Sequence, residues 1–183
     1  MATSITPTQE LASFIANLQY DAIPPAIRER VKDIILDAIA SAIAGTHGDE
    51  VKQIRTLATA LGASQEASVF GGGKLSLAGA TLLNGYLVTA VTVCDVHRPT
   101  LYHTTPQVIA PALAVAEHDC ASGRALLTAI TAGLETSVRV ANGTHYSAFR
   151  ARGWHSPGVV GPFGGAAACA SLMAKVRSPS AFF

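Results

Sequence analysis

Residues 94–106 read CDVHRPTLYHTTP. Two histidines, an aspartate, an arginine and a tyrosine gather there, in a chain that is 49% hydrophobic and only 14% charged. Asp95, His97 and His103 lie in this stretch, and His155 closes a second polar one, NGTHYSAFRARGWH, at 142–155. Four kinds of chemistry compete for these residues. Histidine and aspartate ligate zinc or iron, but HRPTLYH has neither i,i+4 spacing nor another recognised ligand pattern. Histidine is also the natural acid–base residue near neutral pH, and Arg98 offers a bidentate clamp for a carboxylate. That combination suits proton abstraction beside a carboxylate, whose enediolate needs electrostatic stabilisation. Cys94 could act as a nucleophile, but a neighbouring aspartate raises a thiol pKa. The fourth reading is structural. Loop histidines often bond nearby carbonyls, and Asp95 could cap a helix or pair with Arg98. Spacing alone favours this last reading over catalysis.

The 183 residues suit one domain, or a piece of a larger one. So low a charge fraction implies that much of the surface is buried, in the core or against a partner. A net charge of +1 offers no basic face for nucleic acid. Cys94, Cys120 and Cys169 are widely spaced and odd in number, which argues against a disulfide framework and for a reducing cytoplasm. The start, MATSITPTQE, lacks a basic region followed by an apolar one, so no signal peptide is expected. Leu75 to Cys94 is uncharged and long enough to span a bilayer. Its Ser76, Thr81, Asn84, Thr89 and Thr92 favour a buried core helix instead, with no membrane partner.

The elements that must position the polar stretches are helical. Thr6-Pro7-Thr8-Gln9 fits a capping box with proline at the first helical position. Leu11, Phe14, Ile15 and Leu18 follow at helical spacing. After Pro24-Pro25, a stripe from Ile27 to Ala42 predicts a long helix ended by Gly45. Asp49 can cap a third helix with Val51, Ile54, Leu57 and Leu61 inward, ended by Gly62. Ala67 to Phe70 reads as a short strand and Gly71-Gly72-Gly73 as a turn. Ser76 can cap the uncharged helix and Ser122 a later one, striped by Leu126, Ile130, Leu134 and Val138. Between them, Gln107 to Glu117 reads as a helix that Pro111 either kinks or begins. A final helix is expected from about Val159 to Lys175. Its small-residue run GVVGPFGGAAACASLMA points to close helix packing, or to a helix start that admits a ligand. The whole reads as an all-α helical bundle with two irregular polar loops.

Three stretches together resemble the MmgE/PrpD family of cofactor-independent lyases. They are LASFIANLQYDAIPPAIRERVKDIILDAIASAIAG, then LLNGYLVTAVTVCDVHRPTLYHTTPQVIAPALAVAE, then RARGWHSPGVVGPFGGAAACASLM. Each is moderately specific; their order and spacing together are highly specific. The family includes 2-methylcitrate dehydratase, cis-aconitate decarboxylase and iminodisuccinate epimerases. The resemblance implies an N-terminal helical domain over 1–175 and a divergent tail over 176–183. It implies catalytic roles for His103, His155 and Asp95, and substrate-binding roles for His97, Arg98, Thr100 and Tyr102. It also implies a small di- or tricarboxylate substrate, dehydration or decarboxylation without a cofactor or metal, and a cytoplasmic homodimer. Epimerisation is an alternative within the family. A non-catalytic dimerisation module, or a half-enzyme that needs a second chain, is the alternative outside it.

Two departures from the family pattern matter. Its loop usually reads D-F-D-D-T-H, where this chain has Thr92-Val93-Cys94-Asp95-Val96-His97. Members are also much longer. Their downstream lysine and smaller lid domain would lie past Phe183, so the chain is expected to be incomplete or inactive by itself.

Overall fold

The computed structural model describes residues 5–176. Apart from Val176, the tail expected to diverge lies outside them. The architecture is all-α, with eight α-helices and one two-stranded hairpin among the described residues.

Helix α1 (Pro7–Asn17) starts with the expected capping box. The Thr6 Oγ1 accepts from the Gln9 N–H at 3.3 Å, and Gln9 Oε1 accepts from the Thr6 N–H at 2.8 Å. Helix α2 (Pro25–Gly45) begins at the double proline. Its last residue must be glycine, since a Cβ on Gly45 would stand 1.9 Å from the Leu87 carbonyl oxygen. Helix α3 (Val51–Ala60) is not capped by Asp49 as expected. Glu50 holds the cap position with no side-chain hydrogen bond, and its carboxylate instead accepts from the Tyr86 hydroxyl at 2.6 Å.

The hairpin pairs β1 (Ala67–Ser68) with β2 (Lys74–Leu75). Gly71, Gly72 and Gly73 all have φ between 84° and 109°, a region closed to most side chains. Helix α4 (Leu77–Thr89) is capped by Ser76 as expected, but it stops well short of Cys94. The buried Asn84 explains one polar residue on this uncharged helix. Its side chain accepts from the Phe70 N–H and donates to the Ser68 carbonyl, both at 2.9 Å, and so pins the hairpin.

Helix α5 (Thr105–His118) lies at the centre, and Val108, Ile109, Ala110 and Ala112 are fully buried. Pro111 sits inside this helix rather than at its start. A proline cannot donate to the carbonyl four residues back, here that of Gln107. Helix α8 (Ser156–Val176) comes closest at that point, where a Cβ on Gly165 would stand 2.6 Å from the Gln107 carbonyl oxygen. Helix α6 (Gly123–Gly143), capped by Ser122 as expected, also packs on α8. The core joins Leu83, Leu87, Ile109, Ile130 and Leu172 from α4, α5, α6 and α8.

The second polar stretch is not all loop. It contains the short helix α7 (Tyr146–Ala151). Helix α8 begins three residues earlier than its apolar pattern implied. Among the described residues α8, over Ser156–Ala174, is the one helix long and apolar enough to cross a membrane. A core helix passes the same test, and the face of α8 that carries Gly161, Gly164 and Gly165 packs on α5 and α6.

Candidate active site

Between α4 and α5 the chain makes a tight reversal. The His97 N–H donates to the Tyr102 carbonyl at 2.8 Å and the Tyr102 N–H to that of His97 at 3.4 Å. Arg98–Thr100 form a 3₁₀ turn between them, and Leu101 adopts the left-handed conformation at φ 44°. Inside the turn, His97 Nδ1 meets Thr100 Oγ1 at 2.7 Å. Tyr102 anchors the reversal. Its ring is fully buried against Ala141 and Val160, and its hydroxyl donates to Ser137 Oγ at 3.5 Å. Burial pushes its phenol above the ordinary range.

Asp95 fastens the other end of the loop. Its carboxylate accepts from the Thr104 hydroxyl at 2.7 Å, the Thr105 N–H at 3.2 Å and the Thr105 hydroxyl. These groups open α5, whose cap residue Thr104 makes no side-chain cap of its own. Asp95 thus supplies the missing acceptor from ten residues upstream, with its charge at the positive end of the helix. Its own N–H donates to Asp37 on α2 at 3.2 Å.

The reversal divides the histidines. His97 and Asp95 open onto a cleft of about 390 Å³ against α2, beside Arg30, Asp33 and Asp37. His103 opens onto another, of about 220 Å³, whose wall includes Tyr146, Arg150, His155 and Ser156. The structure therefore brings His103 and His155 to one cleft and leaves His97 and Asp95 in another. Arg98 is exposed and lines neither, and Thr100 and Tyr102 are buried behind the loop. A larger groove of about 570 Å³ between α4, α5 and α8 is lined by neither a carboxylate nor a histidine among the described residues.

Sequence reading missed Tyr146 and Arg150. They stand four apart on α7 and so share a face. Phe149 stacks on Trp154 with ring centroids 6.4 Å apart, which fixes α7 against the turn at Gly153. Arg150 makes no ion pair among the described residues, and no acidic side chain lines its cleft. A cation without a partner beside two histidines is an arrangement for binding an anion. The signal for Arg150 was its place in the polar stretch that ends at His155.

Cys94 is buried, and its Sγ lies 3.5 Å from His103 Nδ1. Burial pushes its thiol up, and the charge of Asp95 adds to the effect. A thiol held protonated is a poor nucleophile. Among the described residues no three histidine, cysteine or acidic side chains converge as metal ligands.

The chain is 29% identical to the cis-aconitate decarboxylase-like protein oryM of Aspergillus oryzae, over 91% of its own length and 36% of that protein's. It is 28% identical to the cis-aconitate decarboxylase of Aspergillus terreus, over 91% of its own length and 35% of the enzyme's. It thus spans about a third of the length of these curated relatives. Residues 9–177 match the MmgE/PrpD N-terminal domain, so the chain that brings His103 and His155 to one cleft belongs to the MmgE/PrpD family.

Proposed function

We propose that the chain carries the histidine-bearing part of the active site of a cofactor-independent lyase acting on a small di- or tricarboxylate. The observation that carries this reading is the shared cleft of His103 and His155, with Arg150 on its wall. Arg150 would hold a substrate carboxylate, and the two imidazoles would move the proton. The names of the relatives favour decarboxylation of an unsaturated acid such as cis-aconitate. In that step the bond to one carboxyl carbon breaks and its electron pair moves into the allylic system. A proton is added to the far carbon and carbon dioxide leaves. Asp95 then serves by holding the loop at the start of α5 rather than by touching substrate. Water exclusion and further cationic groups would come from the remainder of a full-length relative.

The test combines binding and turnover. Cis-aconitate is titrated into the isotopically labelled chain, and product is followed by proton NMR. Saturable shifts at His103, Arg150 and His155, lost in the His103→Ala/His155→Ala double variant, are expected. Carbon dioxide release that survives the double substitution, or no saturation by any di- or tricarboxylate, overturns the reading.

The same proposal has the protein working as a homodimer in the cytoplasm. Exposed Leu36 and Ile43 on α2 support association, and three free cysteines suit a reducing compartment. A monomeric mass in light scattering overturns the dimer.

A further inference from the structure

We infer that Cys94 is a positioning residue that fixes which nitrogen of His103 carries the proton. The contact is Cys94 Sγ to His103 Nδ1 at 3.5 Å, within range of a sulfur hydrogen bond. Cys94 is 7% exposed, so the sulfur end of the contact lies away from bulk water. The thiol has one hydrogen to give, and burial beside Asp95 keeps it there. A neutral thiol that donates to Nδ1 makes that nitrogen the acceptor. Neutral imidazole has a single N–H, which must then sit on Nε2.

Nε2 is the ring nitrogen left to meet a ligand in the cleft, and it meets it as a donor. His103 therefore gives a hydrogen bond or a proton to an anionic group, and the lone pair needed to accept a proton comes from elsewhere. His155 stands on the same wall. The tautomer follows from the cysteine contact and holds whichever reaction the cleft performs. Its test is accordingly independent of turnover.

Long-range proton–nitrogen NMR of the ¹⁵N-labelled chain, above the pH at which imidazoles are protonated, reads the tautomer directly. The His103→Gln spectrum assigns the ring. In the native chain, His103 Nδ1 is expected at the limiting shift of an unprotonated ring nitrogen. Cys94→Ser keeps a donor and retains that shift. Cys94→Ala moves it toward the average of freely exchanging tautomers. Cys94→Asp presents only an acceptor and inverts the pattern to Nδ1–H. The native tautomer is read without any substitution at Cys94, so a failure of Cys94→Asp to fold leaves the test intact. A native His103 that carries its proton on Nδ1 overturns the inference. So does a native averaged shift that Cys94→Ala leaves unchanged.

Discussion

Gly164 on α8 faces Ser137 on α6 so closely that a Cβ at residue 164 would stand 1.9 Å from the Ser137 Oγ. The same hydroxyl accepts from Tyr102, which anchors the reversal between His97 and His103. The small-residue helix and the polar loop are thus coupled through one serine. Gly164→Ala would also crowd the Gly133 carbonyl and Val108. It is expected to cost about 1–3 kcal/mol by overpacking, read as a lower midpoint in chemical denaturation. Gly158→Ala is the control. A Cβ there meets nothing within 4 Å, so helix propensity makes the change neutral or slightly stabilising.

Asp95→Asn keeps the size of the side chain and removes its charge from the start of α5. The amide retains one acceptor oxygen, yet three donors converge on the native carboxylate. A loss of about 1–3 kcal/mol is expected in urea unfolding. Weakened carboxylate binding should accompany it, because His103 is held by the same loop. Unchanged stability with lost binding would instead make Asp95 a ligand contact.

Arg150→Gln is expected to weaken cis-aconitate binding roughly ten-fold or more, as the loss of a charged hydrogen bond implies. The fold should be unaffected, because among the described residues the native side chain has no ion pair to lose. Arg98→Gln should change affinity little, since Arg98 is exposed and lines neither cleft. Isothermal titration of both variants separates the two arginines, and a reversed order would return Arg98 to the site.

Glu117 gives a pH dependence with a definite sign. The Lys74 ammonium, then the Ser68 N–H and hydroxyl, hold its carboxylate down to about 2. A depressed carboxylate contributes stability that is fully present above its unfolded value near 4.5 and fades as the pH falls toward 2. Glu117 is about a third exposed, so water screens the effect to about 1 kcal/mol or less. Glu117→Gln should lower the thermal midpoint at pH 7 and reduce its decline between pH 5 and pH 2. An acid limb unchanged by the substitution would show that the hairpin clamp is not what titrates.

Much of the fold could be read from local chemistry. The caps at Thr6, Ser76 and Ser122 stand where hydroxyls precede apolar periodicity, and the apolar stripes fall on the helices expected of them, although Ile27, Leu57 and Leu61, expected to face inward, lie exposed. Asp49 looked like a cap by residue type, yet the chain turns one residue later and Glu50 is drawn to Tyr86 across the fold. Pro111 was legible as a kink or a start, and the choice between them rests on its place inside α5, where Gly165 of α8 makes the close approach. The site was half readable. Residue types flagged both polar stretches, and the family resemblance singled out His103 and His155. That Leu101 turns left-handed and sends His97 and His103 to different clefts depends on Tyr102 being buried against α6 and α8. No spacing rule within thirteen residues encodes that.

His103 and His155 are about fifty residues apart in the chain, with α5, α6 and α7 between them. Their shared cleft is therefore a long-range product of folding. Closing so large a loop carries an entropic cost that the docking of α8 against α5 and α6 helps to offset. A folding intermediate, or a chain from which α8 has peeled away, would hold one imidazole without the other. The shared cleft of the two histidines is thereby confined to the fully packed protein, and loss of packing would separate them before it abolished the helices.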